Sequence, residues 1–148
     1  LLVNQGVIYR RQNNATQASR RFLLARQILE SRPQRLSYEE ILLTKCCDEL
    51  SSLALEEKNP LKAISFKLEL VRLVEKSEGL KVKEFPARLE LAELYLENRL
   101  TEAFEKEVTS LEKLAATREE RGEIGRLRKK WEGIKDFKDQ DGTARVSL

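Results

Sequence analysis

The stretch Gly6–Ala25, GVIYRRQNNATQASRRFLLA, places five small or aromatic residues in one pattern: Gly6, then Tyr9, Ala18, Phe22 and Ala25 at offsets of 3, 12, 16 and 19. Asn13 and Asn14 divide the set, and asparagine pairs favour turns because their side chains bond the local backbone. The spacing predicts two helices folded into a hairpin. Gly6 and Ala18 let the backbones approach closely, while Tyr9, Phe22 and Ala25 fill the seam. One hairpin cannot bury both of its faces, so this stretch predicts neighbours of similar shape.

The rest of the chain supplies them. Of 148 residues, 41% are hydrophobic and 36% charged, with only six Gly and three Pro. That balance suits one domain of long helices with solvated outer faces, and the fold class expected is all-α. The second helix opens at Asn14, with Gln17 completing a capping box, and stops at Pro33. Ser37 and Glu40 form a second box, opening a helix that carries Ile41, Leu42, Leu43, Cys46, Cys47, Leu50, Leu53 and Ala54. Asn59-Pro60 caps and restarts the chain, because proline loses nothing at the first helical position. The fourth helix runs to about Glu78, with Gly79 expected in a left-handed terminal conformation. Pro86 opens a fifth helix, and a sixth spans about Leu100–Thr117 with Ala103, Phe104, Val108, Leu111 and Leu114. Ile124, Leu127, Trp131 and Ile134 keep a 3-4 spacing that predicts a seventh helix, anchored by Trp131. The expected division is hairpins at about 1–32, 37–78 and 86–117 and a capping helix at about 120–137, all in a domain 1–137, followed by a disordered tail 138–148.

Superposing the hairpins repeats the opening pattern. Ser51 and Ala63 keep the 12-residue separation of Gly6 and Ala18, within a set that includes Cys47, Leu50 and Ala54. Leu91, Ala92 and Tyr95 continue it, with Ala103 one position early, and Lys67 stands where an aromatic side chain belongs. The spacing resembles the tetratricopeptide repeat over residues 2–116. Gly6 to Ser51 is 45 residues and Ser51 to Ala92 is 41, against about 34 in the usual repeat. In length the chain is similar to extended variants of that family, which occur as subunits of large assemblies. The resemblance implies about seven helices stacked as a right-handed superhelix; a closed helical bundle is the alternative that the same small residues permit.

The resemblance also implies a site. Ligands of such repeats lie along the surface made by the first helix of each pair, which here carries Val3, Val7 and Arg10, then Asp48, Ser52 and Leu55, then Leu89, Glu93 and Leu96. Members of the family that grip a terminal carboxylate place Lys, Arg and Asn at several of these positions, and this chain does not. The expected occupant is an apolar helix or extended peptide from a partner protein, and the expected role is a scaffold in a multiprotein assembly.

Charge adds a rival. Residues 1–36 hold seven arginines against the single acid Glu30, although the whole chain is only +3. Arg10, Arg11, Arg20 and Arg21 form one basic cluster, and Arg126, Arg128, Lys129 and Lys130 around Trp131 form another, so nucleic acid is the second partner class. The sequence pI of about 8.9 and the acids Glu123 and Glu132 among the second cluster argue against it.

Other chemistries find little support. The chain has no His, which removes the usual general base and the usual zinc sets, so neither catalysis nor a metal or other cofactor is expected. The pairs Glu39-Glu40, Glu56-Glu57 and Glu119-Glu120 diverge on a helix and make poor dyads. Cys46 and Cys47, the only cysteines, point about 100° apart and read as free thiols, with Cys47 a small core residue. Free thiols and the lack of a signal-peptide layout predict an intracellular protein, cytoplasmic or nuclear. Asn14-Ala15-Thr16 matches a glycosylation acceptor by chance. No membrane contact is expected, since no apolar run approaches the roughly 18 residues a span needs. The chain starts at Leu1, at the edge of a repeat, which suggests a piece of a longer protein whose first hairpin exposes an apolar face and can self-associate.

Overall fold

A computed structural model describes the backbone of residues 1–140 and the side chains of residues 1–134. It is all-helical: α1 (Leu2–Arg11), α2 (Ala15–Glu30), α3 (Ser37–Glu56), α4 (Pro60–Lys76), α5 (Glu84–Glu97), α6 (Thr101–Leu114) and α7 (Arg118–Gln140), with a 3-10 helix, Glu78–Lys83, between α4 and α5. Among the described residues each helix packs on the next, α1 also touches α3, and α5 also touches α7. Among the described residues no extensive contact ties the first hairpin to α6 or α7.

The three hairpins turn in the same way. Asn13, Lys58 and Arg99 each adopt a left-handed backbone, with φ of 57°, 60° and 57°. The following amide donates five residues back: Asn14 to the Tyr9 carbonyl at 2.8 Å, Asn59 to Ala54 at 2.9 Å and Leu100 to Tyr95 at 2.9 Å. The left-handed residue itself donates three back, to Arg10, Leu55 and Leu96, which completes a Schellman turn each time. These turns stand 45 and 41 residues apart, the same intervals that separate Gly6, Ser51 and Ala92. In this register Phe104, not Ala103, is equivalent to Ala18 and Ala63. Phe104 is 1% exposed, while Ala103 is only partly buried.

Several local expectations are revised. The second helix is capped by the Asn14 side chain, which accepts from the Gln17 amide at 3.2 Å, but the Asn14 amide already bonds Tyr9 and leaves the Gln17 side chain no reciprocal role. At α3 the reciprocal bond comes from Glu39, whose carboxylate accepts from the Leu36 amide at 3.0 Å, because Ser37 lies inside the helix and not at its cap. Gly79 sits in the 3-10 segment without a left-handed φ, so Ser77 ends α4 in extended backbone. Pro86 falls at the third residue of α5, still in the first turn, where its missing N–H costs no helical bond. α7 starts at Arg118 and includes residues 138–140; the remainder of the expected tail, 141–148, lies outside the described residues.

The core runs through all three hairpins. Phe22, Leu43, Leu53, Leu91, Phe104, Val108 and Leu111 are at most 2% exposed, and each such side chain stabilises by about 1.5–3 kcal/mol relative to exposure. Phe22 lies directly over Gly6: a Cβ at Gly6 would stand 2.8 Å from two ring carbons. At the matching crossing, the Ser51 hydroxyl donates to the Ala63 carbonyl at 2.9 Å. In α7 the innermost residues are Leu127 at 0% and Ile124 at 5% exposure, whereas Trp131 is half-buried, its ring 5.9 Å from that of Phe104. The anchor of α7 is therefore the Ile124–Leu127 pair.

Ion pairs bridge the junctions between hairpins, and three of the seven arginines in residues 1–36 take part in them. Arg10 pairs with Glu49 at 3.2 Å and Glu56 at 2.7 Å, Arg26 holds Glu69 with two bonds at 2.6 and 2.8 Å, and Arg32 meets Glu39 at 3.0 Å. Arg88 joins α4, α5 and α6 through Glu75, Glu84 and Glu107. The arginine-rich first hairpin thus faces carboxylates of the second.

The Arg26–Glu69 pair has a pH signature. Burial pushes the Glu69 carboxyl up, but hydrogen bonds from Arg26 and its neighbours outweigh that and hold it down at about 2, against an ordinary 4.5. A depressed folded value gives stability that is complete above pH 4.5 and is lost as pH falls toward 2. Glu30, raised by burial and then by its proximity to Glu69, acts in the opposite sense. Glu69→Gln is expected to cost about 1–3 kcal/mol at pH 7 and to flatten the acid limb. Urea unfolding at stepped pH checks this, and an equally steep loss below pH 4.5 in the variant would sink it.

Candidate functional site

The first helices of the three hairpins, α1, α3 and α5, share one face. On α3 the residues Ile41, Lys45, Asp48, Ser52 and Leu55 fall at alternating steps of four and three, so a helix of 3.6 residues per turn brings them onto one side. Pro86, Glu90, Glu93 and Glu97 do the same on α5. Between these rows lies a groove of two joined hollows, both lined by Asp48 and Glu90.

The first hollow, about 580 Å³, is apolar: Val3 and Val7 of α1, Ile41 and Leu42 of α3, and Val82 of the 3-10 helix line it, with Lys45 and Lys83 among its polar residues. Ile41 and Val82 are 47% and 83% exposed, an arrangement that leaves apolar surface in water. The second hollow, about 360 Å³, is acidic: Asp48, Glu90, Glu93 and Glu97 surround it, with Ser52 and Leu55 completing the α3 side.

Lys67 of α4 lies beneath the acidic hollow. It is 5% exposed, donates to Asp48 at 2.9 Å and also bonds Glu90, so one ammonium ties α3 to α5. Burial alone would lower its pKa, but the hydrogen bonds to Glu90 and Asp48 outweigh burial and leave it raised. The ammonium remains charged. Its place in the hairpin register is that of Phe22 and Val108, so a cation stands where the other two hairpins bury apolar side chains.

Six of the nine expected groove residues meet here: Val3, Val7, Asp48, Ser52, Leu55 and Glu93. Three do not line it. Arg10 is drawn to Glu49 and Glu56. Leu89 packs half-buried against the core, and Leu96 is inside it at 2% exposure, because α5 is covered by α4, α6 and α7 together. Sequence reasoning missed Ile41, Val82, Glu90 and Glu97. A signal for the acidic end existed in Lys67, a lone charge in the apolar register of α4 beside Ile64, Leu68 and Val71.

The cysteines have no part in the groove. Both are buried free thiols; burial pushes Cys46 up to about 11, and burial together with a hydrogen bond to Glu69 raises Cys47 as well. Such thiols stay protonated and are poor nucleophiles. No helix among the described residues is long and apolar enough to cross a membrane. No family model matches the chain, and neither do curated proteins or solved structures.

Proposed function

We propose that the chain is a non-catalytic interaction scaffold that receives a helix or extended segment of a partner protein in the groove formed by α1, α3 and α5. The observation that carries this reading is the open apolar hollow flanked by Ile41 and Val82, two side chains left 47% and 83% exposed beside a well-packed core. Sequential packing of three hairpins with equivalent turns supports an extended tetratricopeptide-like repeat over a closed bundle, since a bundle would bring its first and last helices together. Five of the arginines that suggested nucleic acid, Arg10, Arg26, Arg32, Arg126 and Arg128, pair with carboxylates of the chain, and Arg21 lies over the Tyr9 ring at 5.6 Å, while Arg11 and Arg20 stay exposed. Neutralised guanidinium groups release few counterions from a phosphate backbone. The buried free thiols fit a reducing, intracellular compartment.

Selection of displayed peptides on the folded chain tests the reading. Peptides so obtained are expected to lose about tenfold or more in affinity, about 1.4 kcal/mol, when the chain carries Ile41→Lys and Val82→Lys together. Both positions are exposed, so the fold is expected to tolerate the change. Binding indifferent to the double substitution would place the occupant elsewhere and remove the groove as the site.

A further inference from the structure

The groove is polarised along its length, and the polarity selects its occupant. Four carboxylates, Asp48, Glu90, Glu93 and Glu97, surround the acidic hollow. Against them stand two cations: Lys67 from below, shared by Asp48 and Glu90, and Arg126, 3.1 Å from Glu93 at the surface. Asp48 and Glu90 have side chains 51% and 58% exposed, so carboxylate surface remains open to solvent after Lys67 is satisfied. Glu97 is exposed and has no ion-pair partner among the described residues. The hollow therefore holds excess negative charge, directly continuous with the apolar one.

Packing does not explain this arrangement. An apolar residue at position 67, as at Phe22 and Val108, would fill the core without the desolvation cost of a buried ammonium, and ion pairs of this kind add little over such a residue. Lys67 does something a phenylalanine cannot: it holds Asp48 and Glu90 together at the boundary between the two hollows.

Resting on the groove reading above, we infer that the occupant is a protein segment in which an apolar side chain, seated between Ile41 and Val82, is followed by a lysine or arginine that enters the acidic hollow at Asp48, Glu90 and Glu97. Charge complementarity makes the choice. An acidic segment would meet uncompensated carboxylates at close range, and a purely apolar one would leave them facing it desolvated.

The test uses the whole chain and the composition of peptides selected from a random displayed library. Binders to the unaltered protein are expected to carry Lys or Arg beside an apolar anchor, and Glu97→Lys is expected to weaken them about tenfold at low salt, with the difference shrinking as salt rises. Asp48 and Glu90 are left intact so that Lys67 keeps its partners. Selected peptides that need Ile41 and Val82 but show no basic enrichment would overturn this inference and leave the groove reading standing. Peptides indifferent to Ile41→Lys with Val82→Lys would overturn both, as would failure to select any binder. Light scattering on the free chain adds one more outcome: a dimer that Val82→Lys dissociates would assign the groove to a second copy and overturn the inference.

Discussion

Gly6→Leu is expected to destabilise the chain by about 3 kcal/mol, at the upper end of overpacking costs, even though leucine is the better helix former by close to 1 kcal/mol. The first side-chain atom is already too much. A Cβ at this position would approach Phe22 to 2.8 Å, and Phe22 is 0% exposed, wedged where α1 crosses α2, so its ring cannot swing into solvent. Relief requires α1 to move off α2, and with it Val3 and Val7, which line the apolar hollow. The same substitution should therefore weaken groove binding in molecules that remain folded. Gln12→Leu, at an exposed position just past the end of α1, serves as the control and should stay within about 0.5 kcal/mol. Denaturant unfolding compares the two; similar losses at both positions would mean that the crossing is not tight.

The second large effect is expected at Leu127, where truncation to alanine should cost about 2–5 kcal/mol. Leu127 is 0% exposed and Ile124 5%, and together they hold α7 on α5 and α6. Trp131, next on the same stripe, rests half-buried 5.9 Å from Phe104, so it reports on the docking without carrying most of it. As the only Trp in the chain it gives a clean signal. Emission should be blue-shifted and partly shielded from iodide in the unaltered protein, and should move toward that of free Trp in Leu127→Ala. Trp131→Ala should cost less than Leu127→Ala. A larger loss at Trp131, or unshifted emission in the Leu127 variant, would show that the tryptophan is the anchor after all.

Much of this protein could be read from local pattern. Seven helices, the Asn59 cap, the hairpin intervals of 45 and 41 residues and the burial of Phe22, Ile64, Val71, Val74, Phe104, Val108 and Leu111 all follow from the spacing of apolar residues and from Asn and Pro punctuation, because these effects act within a few residues along the chain. The turns themselves were harder to see. Lys58 and Arg99 take a left-handed conformation usually given to Gly or Asn, and only the backbone bonds that close the hairpins reveal that all three turns are alike.

The site divides in the same way. Val3, Val7, Asp48, Ser52, Leu55 and Glu93 could be placed together only through the tetratricopeptide resemblance, which implies that the first helices of successive hairpins share a ligand-facing surface. Leu96 could not be excluded by that logic, because its burial depends on how many helices surround α5. Nor could the acidic hollow be foreseen. Lys67 and Asp48 are 19 residues apart, and Lys67 and Glu90 are 23 apart, so their meeting belongs to the packing of α4 between α3 and α5. The sequence by itself determined the number of helices and most of the residues that each buries; tertiary structure alone decided which apolar side chains, such as Leu61 at 68% exposure, stay outside the core and which charges meet across the helices, because both depend on neighbours far away along the chain.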